Sequence, residues 1–336
     1  MSVSIEKYFN EPIVIIGGGS IGQRHIKNLK QLGFSNVTCL KRKEDEKFAG
    51  DHGVKVITSY SEMISLKPKA VFICNPTSLH LESLEQAIAV GAHIFMEKPL
   101  IHDKDSLEKA KRVLKGHDKV FFIGFMLRFH PLVQKIKEIL ATGELGNVYS
   151  ARFEFGSYLP NWHPYEDHRI SYAARKELGG GVINTITHEL DLIQYFFGKP
   201  EAVSAQKQNL GKLSIDVEEL FEGTMIYNNK LVTLHLDYLQ KDYDRRIAIL
   251  CDEGAIRWDW HSNRVIVKKH KSEEQVFPIS GFEVNKLYLD ELVSFFELIG
   301  QNKLSHSLDS QHAIENTNLT LAFHQAAEEH RTIPIS

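Results

Sequence analysis

The sequence predicts an α/β protein, with a doubly wound parallel sheet in its first part and a mainly antiparallel sheet behind it. Two observations support this. Short apolar runs alternate with helical patterns from residue 12 to residue 124, as in parallel sheets built with crossover helices. From residue 202 to residue 278, strand-like runs follow one another directly, which is typical of an antiparallel meander. We therefore predict one domain over residues 1–126 and a second over residues 127–336.

The composition is that of an ordinary globular protein with no obvious charged or membrane-bound partner. The chain has 336 residues, 43% of them hydrophobic, and a net charge of -3. No block of one charge indicates a nucleic-acid or membrane surface. No apolar run is long enough for a membrane span, and the first residues lack the apolar region of a signal peptide. Cys39, Cys74 and Cys251 show no metal-ligand spacing, so we expect a cytoplasmic protein without a bound metal.

The first strand leads into a glycine-rich turn. Residues 12–17 form a short apolar run, and the turn Gly17-Gly18-Gly19-Ser20-Ile21-Gly22 precedes a helical stretch from Gln23 to Leu32. The first glycine permits a tight turn, the second lets the backbone approach a pyrophosphate, and the third lets helix and strand pack closely. We predict a dinucleotide site at Gly17, Gly19, Ser20, Ile21 and Gly22. The alternative is a glycine turn with a purely structural role.

The end of the second strand bears on which dinucleotide binds. NAD-binding sites carry an acid there for the ribose 2′-hydroxyl, but strand 36–40 is followed by Lys41-Arg42-Lys43. Three cations suit a 2′-phosphate, so NADP is favoured over NAD, with Arg42 as the contact. In the alternative interpretation these are solvated charges, and Glu44 or Asp45 binds the ribose.

Polar segments follow the next buried strands. Strands 70–74 and 93–96 are followed by Asn75-Pro76-Thr77-Ser78-Leu79-His80 and by Glu97-Lys98-Pro99. Ligands bind at the carboxyl ends of the strands in an open α/β sheet, and a charged pair at a buried strand end is costly unless it is used. Taken alone, Glu-Lys-Pro is an ordinary strand end, and His80 is a capping or surface histidine. Further strands are predicted at 54–58 and 120–124. Helices are predicted at 60–66, in the stretch that follows His80 up to residue 90, and at 104–115.

The second half has a different organisation. A helix over 132–141 and a strand over 148–157 lead into a polar, aromatic loop and a helical stretch over 171–177. After Gly179-Gly180-Gly181, the sequence predicts one helix over 182–197 on which Asn184, His188 and Asp191 share a face. Taken alone, His188 is more simply a core histidine. Strands are predicted at 202–208, 218–227, 231–238, 246–251, 255–260, 264–269 and 274–278, and helices at 283–299 and 310–330.

Together these motifs resemble the Gfo/Idh/MocA oxidoreductases, the family of glucose-fructose oxidoreductase and inositol dehydrogenase. The resemblance rests on Ile13–Gly22, Cys74–His80, Glu97–Pro99, Gly124–Pro131 and Gly179–Asp191, which occur in family order. It implies an N-terminal Rossmann domain and a C-terminal α/β domain with a large open sheet. It also implies hydride transfer between NAD or NADP and a hydroxyl-bearing carbon of a sugar, cyclitol or nucleotide sugar.

The resemblance assigns roles to individual residues. Lys98 would hydrogen-bond the reacting hydroxyl, His188 would be the general base, and Glu97 would contact the nicotinamide ribose. Residues along the cofactor would be Asn75, Pro76, Thr77, His80, Pro99, Met126 and Arg128. The family usually carries Asp at the position of Asn184. Asparagine can orient the base but cannot stabilise it as an imidazolium, so Lys98 or Asp191 is an alternative route for the proton.

The loop 158–177 is the predicted substrate-binding segment. Its aromatic rings can stack on a sugar, and its arginines suit a phosphate or carboxylate. With Asp191 from the following helix, the predicted substrate residues are Trp162, His163, Arg169, Tyr172 and Arg175. The loop resembles that of family members in bacterial surface-glycan assembly, which implies a nucleotide sugar. The alternative is a surface loop that packs its own aromatic residues.

Two other functions are compatible with the sequence. Some members of the resembling family cleave glycosidic bonds with NAD recycled internally, so no net cofactor change would be seen. A non-catalytic sensor or partner subunit is the other alternative, for which Asn184 is the only support. An open sheet leaves an apolar patch that usually finds a partner, so we expect a homodimer or homotetramer.

Overall fold

The chain forms two compact units in a computed structural model that describes residues 5–335. One unit contains the residues up to Met126 together with Val284–Thr317, and the other contains Leu127–Glu283 and the residues from Asn318 onward. The predicted domain ranges divide the chain once, whereas here residues 284–317 return to the first unit. Residues 1–4 and 336, which fall in the predicted ranges, lie outside the described part, as does most of the segment used to exclude a signal peptide.

The first unit is built on a six-stranded parallel sheet with the order β3-β2-β1-β4-β5-β6. Its strands are β1 Ile13–Ile16, β2 Val37–Leu40, β3 Lys55–Ile57, β4 Ala70–Ile73, β5 His93–Glu97 and β6 Phe121–Gly124. The predicted doubly wound sheet is confirmed. The strand order reverses between β1 and β4, so the carboxyl ends of the central strands open where ligands bind in such sheets.

The helices that accompany this sheet are α1 Ser20–Gln31, α2 Glu46–His52, α3 Tyr60–Leu66, α4 His80–Ala89 and α5 Lys104–Lys115. Helices α2, α3 and α5 start at side-chain caps. Asp45 caps α2 by accepting a hydrogen bond from the Phe48 amide, and Ser59 and Glu62 form a capping box on α3. Such caps satisfy amides that have no partner inside the helix. Helix α2 is short and was not predicted.

The second unit is built on a nine-stranded sheet with the order β14-β13-β12-β11-β7-β10-β9-β8-β15. Among the described residues, β7 and β10 are the one pair of neighbours in this sheet that runs parallel, so the prediction of a mainly antiparallel sheet is confirmed. The strands are β7 Val148–Gly156, β8 Ala202–Gln208, β9 Leu220–Tyr227, β10 Lys230–Asp237, β11 Asp244–Cys251, β12 Gly254–Asp259, β13 Arg264–Lys269, β14 Glu274–Pro278 and β15 Ile333–Pro334. Burial alternates along β11, because one face of the sheet packs on helices.

Two helix predictions in this unit are wrong. The helices are α6 Pro131–Thr142, α7 Val182–Thr185 and α8 His188–Phe197, so the single helix predicted over 182–197 is interrupted at Ile186 and Thr187. Thr185, Ile186 and Thr187 are β-branched, and such side chains lose rotamer freedom in a helix. The helical stretch predicted over 171–177 consists of two 3-10 turns, Tyr172–Ala174 and Lys176–Leu178.

The last two helices are α9 Val284–Gln301 and α10 Ser310–Glu329. Phe295 of α9 packs edge-on against Phe72, Phe95 and Phe122 of strands β4, β5 and β6, with ring centroids 5.6–6.0 Å apart. This aromatic contact explains why residues 284–317 belong to the first unit. Within residues 5–335, none of the helices has the length and hydrophobicity needed to cross a membrane.

Candidate active site

The glycine turn after β1 is shaped by close backbone contacts. Gly17 has φ +104°, and a Cβ there would lie 2.8 Å from the amide nitrogen of Asn75. A Cβ on Gly22 would lie 2.0 Å from the carbonyl oxygen of Gly17, so only glycine lets α1 pack against this turn. Gly19 caps α1, and a Cβ there would meet nothing within 4 Å. The turn is therefore tight on the protein side and open at the start of α1.

This opening fits the pyrophosphate of a dinucleotide. Ser20, Ile21 and Gly22 form the first turn of α1, where amide groups have no partner inside the helix and attract anions. The first turn contains no acidic residue that would oppose a phosphate. Asn75 donates its amide to the Ser83 hydroxyl at 2.8 Å, while its Oδ1 is buried and has no hydrogen-bond partner among the described residues. A buried acceptor without a donor suits a ligand that supplies one.

The basic segment after β2 presents Arg42 to solvent. The Lys41 ammonium lies 2.6 Å from Asp45 Oδ2 and over the Phe48 ring, and the hydrogen bond from Lys41 lowers the pKa of Asp45. Asp45 is thus engaged by Lys41 and by the cap of α2. Arg42 is exposed and makes no hydrogen bond or ion pair within residues 5–335. The arrangement leaves Arg42 available for an added phosphate.

His80 connects the two polar segments that follow β4 and β5. It is 2% exposed, which excludes the alternative of a surface histidine. Its Nε2 lies 2.9 Å from the Asn75 carbonyl, and its Nδ1 lies 2.9 Å from the Pro99 carbonyl. Burial lowers the pKa of His80. The ring of His80 therefore lies buried between the Asn75 and Pro99 carbonyls, and in its neutral form it donates to one of them. Thr77 is also buried.

Lys98 follows the last residue of β5 and is half-buried, and its peptide bond to Pro99 is cis. Its neighbour Glu97 is buried, and its carboxylate lies 2.7 Å from Nε2 of His25 on α1. Glu291 of α9 completes a cluster with these two residues. Met126, at the end of the first unit, is buried in a 3-10 turn over Met126–Phe129.

In the second unit, Arg128 and Asp191 form a buried ion pair. The Arg128 Nη2 donates to Asp191 Oδ1 at 2.7 Å, and its Nε lies 2.9 Å from Oδ2. The guanidinium also lies over the Tyr195 ring, 4.8 Å from its centroid. A paired carboxylate is a poor proton acceptor. The pair fixes α8 to the segment after Met126, whereas the sequence assigned Arg128 to the cofactor and Asp191 to the substrate.

Asn184 is held by two hydrogen bonds in the second unit. Its amide donates to the Gly180 carbonyl at 3.0 Å, and its Oδ1 lies 2.9 Å from His324 Nε2. Lys207 lies 3.0 Å from His324 Nδ1. Because an ammonium can only donate, His324 accepts at Nδ1 and donates from Nε2 as a neutral ring. Burial lowers the pKa of His324 to about 4, which agrees with that form.

His188 begins α8 and is half-buried. Within the described residues, the hydrogen bonds of Asn184 go to Gly180 and His324 and not to His188. The orienting role predicted for Asn184 therefore has no direct hydrogen bond to support it. The neighbouring Glu189 pairs with Arg245 at 2.5 Å, in a buried contact that anchors the same turn of α8 to β11.

The predicted substrate loop folds on itself. Trp162 donates to the Ser157 hydroxyl at 2.8 Å and packs edge-on against Tyr238. The two arginines of the loop each form an ion pair, Arg169 with Asp167 at 2.6 Å and Arg175 with Glu177. His163 contacts the Tyr165 hydroxyl at 3.0 Å, and Tyr172 is half-buried. For the charged residues of the loop, these contacts favour the alternative interpretation, in which the loop packs on itself.

Four residues at these places were missed by the sequence analysis: His25, Lys207, Glu291 and His324. His25 follows the glycine turn by one helical turn, which is a local signal that could have been used. Lys207, Glu291 and His324 come from elements distant in sequence, and no local pattern identifies them.

Comparison with known proteins agrees with both halves of the chain. Residues 12–125 match a family described as "Oxidoreductase family, NAD-binding Rossmann fold", and residues 133–257 match the GFO/IDH/MocA C-terminal domain. The chain is 26% identical over 303 residues to myo-inositol 2-dehydrogenase of Thermotoga maritima, covering 85% of this chain and 87% of that protein. It is 26% identical over 255 residues to 2,7-anhydro-N-acetylneuraminate hydratase of Mediterraneibacter gnavus, covering 73% and 66%.

A solved structure of levoglucosan dehydrogenase in complex with NADH and levoglucosan is similar in fold. Its TM-score is 0.86 at 18% identity, with 97% of this chain and 99% of that chain covered. At this identity the likeness concerns the fold.

Proposed function

The chain belongs to the GFO/IDH/MocA oxidoreductase family and has its NAD-binding Rossmann domain, and we propose that it oxidises or reduces a hydroxyl-bearing carbon of a sugar or polyol. The observation that carries the proposal is the open start of α1, bordered by Gly17, Gly19 and Gly22, with the unpartnered oxygen of Asn75 after the neighbouring strand. When bound there, the nicotinamide cofactor supplies the hydride acceptor or donor.

Lys98 and His188 are proposed to handle the proton. An alcohol gives up hydride easily only as its hydroxyl proton leaves, so a base that titrates near neutral pH is required. His188 takes that proton in the oxidative direction and returns it in the reductive one. The Lys98 ammonium hydrogen-bonds the same oxygen and stabilises the negative charge that develops on it. His80 supports this arrangement, because its buried ring packs 2.9 Å from the Pro99 carbonyl, next to Lys98.

A neutral sugar or polyol is favoured over a nucleotide sugar as the substrate. The arginines that would bind a phosphate, Arg169 and Arg175, are each paired with a carboxylate two residues along the chain. An anionic substrate would have to displace those pairs. The similar proteins named above include dehydrogenases of inositol and of levoglucosan, and both of these compounds are uncharged.

The test is a turnover assay that follows the absorbance of the reduced nicotinamide. The protein is incubated with NAD or NADP and a panel of free sugars, cyclitols and UDP-, GDP- and CMP-sugars. We expect a signal with a free sugar or cyclitol, and we expect Lys98→Ala and His188→Ala to reduce it by about 10²-fold or more. Activity confined to nucleotide sugars would contradict the substrate proposal, and unchanged activity of both variants would contradict the assigned roles.

A redox-neutral reaction with internal cofactor recycling is the second candidate. A hydratase is among the similar proteins, and hydration involves no net oxidation. The glycosidic-bond cleavage that the sequence left open as an alternative belongs to the same redox-neutral class. In this case NADH would be formed and consumed within one turnover. Product formation detected by mass spectrometry, without any net change in absorbance, would favour it over the dehydrogenase.

The cofactor preference for NADP is proposed on Arg42, which is exposed and unpaired beside the engaged Asp45. Arg42→Ala should lower the affinity for NADPH by about tenfold, the loss of one charge-assisted contact, and leave NADH binding unchanged. Lys43→Ala is the matched control, since Lys43 is also exposed in the same segment. Equal affinity of wild type and Arg42→Ala for NADPH would remove the basis for this preference.

A further inference from the structure

A buried cluster in the first unit joins three elements that are far apart in sequence. His25 of α1, Glu97 at the end of β5 and Glu291 of α9 each offer one nitrogen or oxygen atom, and these atoms lie within 4.8 Å of one another. His25 and Glu291 are fully buried and Glu97 is 7% exposed. Two carboxyl groups and an imidazole so close in an apolar interior require a definite arrangement of protons.

The hydrogen bonds of His25 define its form. Its Nε2 lies 2.7 Å from Glu97 Oε1, and its Nδ1 is buried without a hydrogen-bond partner in the described part of the chain. A protonated ring would leave a second buried N–H without an acceptor, which costs free energy. The neutral ring with its proton on Nε2 satisfies the contact with a single donor. His25 therefore supplies Glu97 with a hydrogen bond but does not supply a positive charge.

In the part of the chain that the structure describes, no cation forms a hydrogen bond or ion pair with Glu291. Neither of its carboxyl oxygens has a hydrogen-bond partner among residues 5–335. The guanidinium of Arg24 lies over the Tyr288 ring, 4.4 Å from its centroid. Burial and the neighbouring Glu97 raise the pKa of Glu291, against a smaller opposing effect of Arg24. Burial and Glu97 raise the pKa of the buried Cys74 thiol, so it stays uncharged and adds no further negative charge near the cluster.

We propose that Glu291 is held as a neutral carboxylic acid facing Glu97, so that Glu97 is the single anion of the cluster. His25 and Glu291 then act as positioning residues: one donates to the Glu97 carboxylate and the other covers it without repelling it. Glu97 immediately precedes Lys98, and under the proposed function it contacts the nicotinamide ribose. The inference rests on that function for its role in cofactor binding, but the protonation of Glu291 does not depend on it.

A metal ion bound by the same three residues would compensate the charge in a different way. Histidine and two carboxylates form a common ligand set for Zn²⁺ and similar ions. The two arrangements predict opposite effects of Glu291→Gln. If Glu291 is neutral, the uncharged amide can replace it. If Glu291 binds a metal ion, the amide removes a charged ligand. The two arrangements can therefore be separated by experiment.

The first test measures thermal stability as a function of pH for the wild type and Glu291→Gln. A carboxyl group whose pKa is raised by folding stabilises the protein fully below its unfolded pKa, and that stability is lost as the pH rises toward the folded pKa. Glutamine keeps the neutral form at every pH. The melting temperature of Glu291→Gln relative to wild type should therefore rise by about 2–4 °C or more between about pH 5 and pH 8.

The matched control is Glu297→Gln, which removes a half-buried carboxylate from the same helix outside the cluster. Its melting temperature relative to wild type should not change in this way. A constant difference for Glu291→Gln, or one that falls as the pH rises, would show that Glu291 is ionised in the folded protein and would overturn the proposal. Stabilisation of the wild type by Zn²⁺ or Mn²⁺, reversed by a chelator and absent in Glu291→Gln, would overturn it in favour of a metal site.

The second test concerns the positioning role and uses NADH binding followed by fluorescence. Glu291→Gln should keep the wild-type Kd within about twofold, whereas Glu291→Ala should raise it about tenfold because the support of Glu97 is lost. A wild-type Kd for NADH in Glu291→Gln, together with a raised Kd in Glu291→Ala, would indicate that the neutral form of Glu291 supports Glu97. Equal Kd values for all three proteins would refute the positioning role. Absence of NADH binding by the wild type would refute the proposed function instead, and the thermal test would remain informative.

Discussion

Asn184 stands where the resemblance predicts an aspartate, and its immediate contacts suit an asparagine. Its amide nitrogen donates to the Gly180 carbonyl at 3.0 Å, and its oxygen accepts from a neutral His324 at 2.9 Å. A carboxylate would place an oxygen against the Gly180 carbonyl, and it would favour a protonated His324 next to the Lys207 ammonium. An uncharged amide is the side chain that satisfies both neighbours, so Asn184 suits this chain better than aspartate.

Asn184→Asp should move the pH–rate profile, and the shift should depend on His324. The new carboxylate favours the charged form of His324, whose pKa is now about 4, and so brings a new titration into the working pH range. We expect the profile to shift in Asn184→Asp and to return toward wild type in Asn184→Asp combined with His324→Gln. Steady-state rates from about pH 5 to pH 9 measure this.

A shift that persists in the double variant would show that residue 184 acts directly on His188, as the sequence analysis predicts. A profile identical to wild type in both variants would exclude any coupling.

Among the individual site residues, those of the glycine turn could be predicted from the sequence because their chemistry is local. The partner of Asn184 could not, because His324 is separated from it by 140 residues and lies on a helix with no marked apolar face.

Helix α9 belongs to the core of the nucleotide-binding unit although it follows the second sheet in sequence. Phe295 fills the space over three stacked phenylalanines of the parallel sheet, with Phe72 and Phe95 4.9 Å apart. Phe296 packs against Phe34 at 4.4 Å. The same helix supplies Glu291 to the cluster around Glu97. A change in α9 should therefore affect the nucleotide-binding unit.

Phe295→Ala should destabilise the protein by about 3–5 kcal/mol, the cost of a cavity left by a buried phenylalanine. The first unit should unfold at a lower denaturant concentration, and NADH, which binds that unit, should partly reverse the loss. Denaturant titrations with and without NADH measure both effects. The control is Val284→Ala at the exposed start of the same helix, which should change stability by less than about 1 kcal/mol. Equal effects of the two substitutions would contradict the packing of α9 on this sheet.

At the scale of elements, the sequence predicted the strands well because each is a short, strongly apolar or alternating run. The break at Ile186 was missed, since its helical periodicity continues across the β-branched residues. Helix α2 was missed because it is short and depends on the Asp45 cap. The placement of α9 could not be predicted at all. Its apolar face is clear from the sequence, but the pattern does not say which sheet the face covers.

The outer face of the nine-stranded sheet carries a row of alternating charges. In register across six strands the row is Glu222, His235, Glu154, Arg246, Asp259 and Arg264. Opposite charges on adjacent strands attract one another. A shallow depression of about 340 Å³ includes the middle of this row. Exposed Leu231, Leu250 and Val276, each about half exposed, lie on the same unit. A face that combines alternating charges with exposed apolar side chains is suited to contact with a second copy of the chain.

We expect a homodimer or homotetramer that uses this face. Leu231→Asp places a charge among exposed apolar side chains and should convert the assembly to a smaller species without unfolding the chain. Light scattering combined with size-exclusion chromatography measures this, and circular dichroism checks the fold. Leu304→Asp is the control, because Leu304 is similarly exposed but lies in the first unit. A wild-type monomer would contradict the expectation, and so would an equal effect of the two variants.

His235 gives the row of charges a defined pH dependence. Hydrogen bonds to Asp237 at 3.1 Å and to Glu222 at 2.6 Å raise its pKa to about 9. A histidine whose pKa is raised by folding contributes stability fully below its unfolded pKa, and that contribution disappears as the pH rises through the folded value. The melting temperature of wild type should therefore exceed that of His235→Gln most at about pH 6, and the difference should vanish near pH 10.

Exposed His270, with the variant His270→Gln, is the control and should show no such trend. If the row also stabilises the assembly, light scattering on wild type should show dissociation over the same alkaline range. A pH-independent difference between wild type and His235→Gln would mean that folding does not raise the pKa of His235. Above about pH 7 the imidazole would then be neutral, the two carboxylates would face each other without a cation between them, and the alternating row would not be a source of stability for the molecule as a whole.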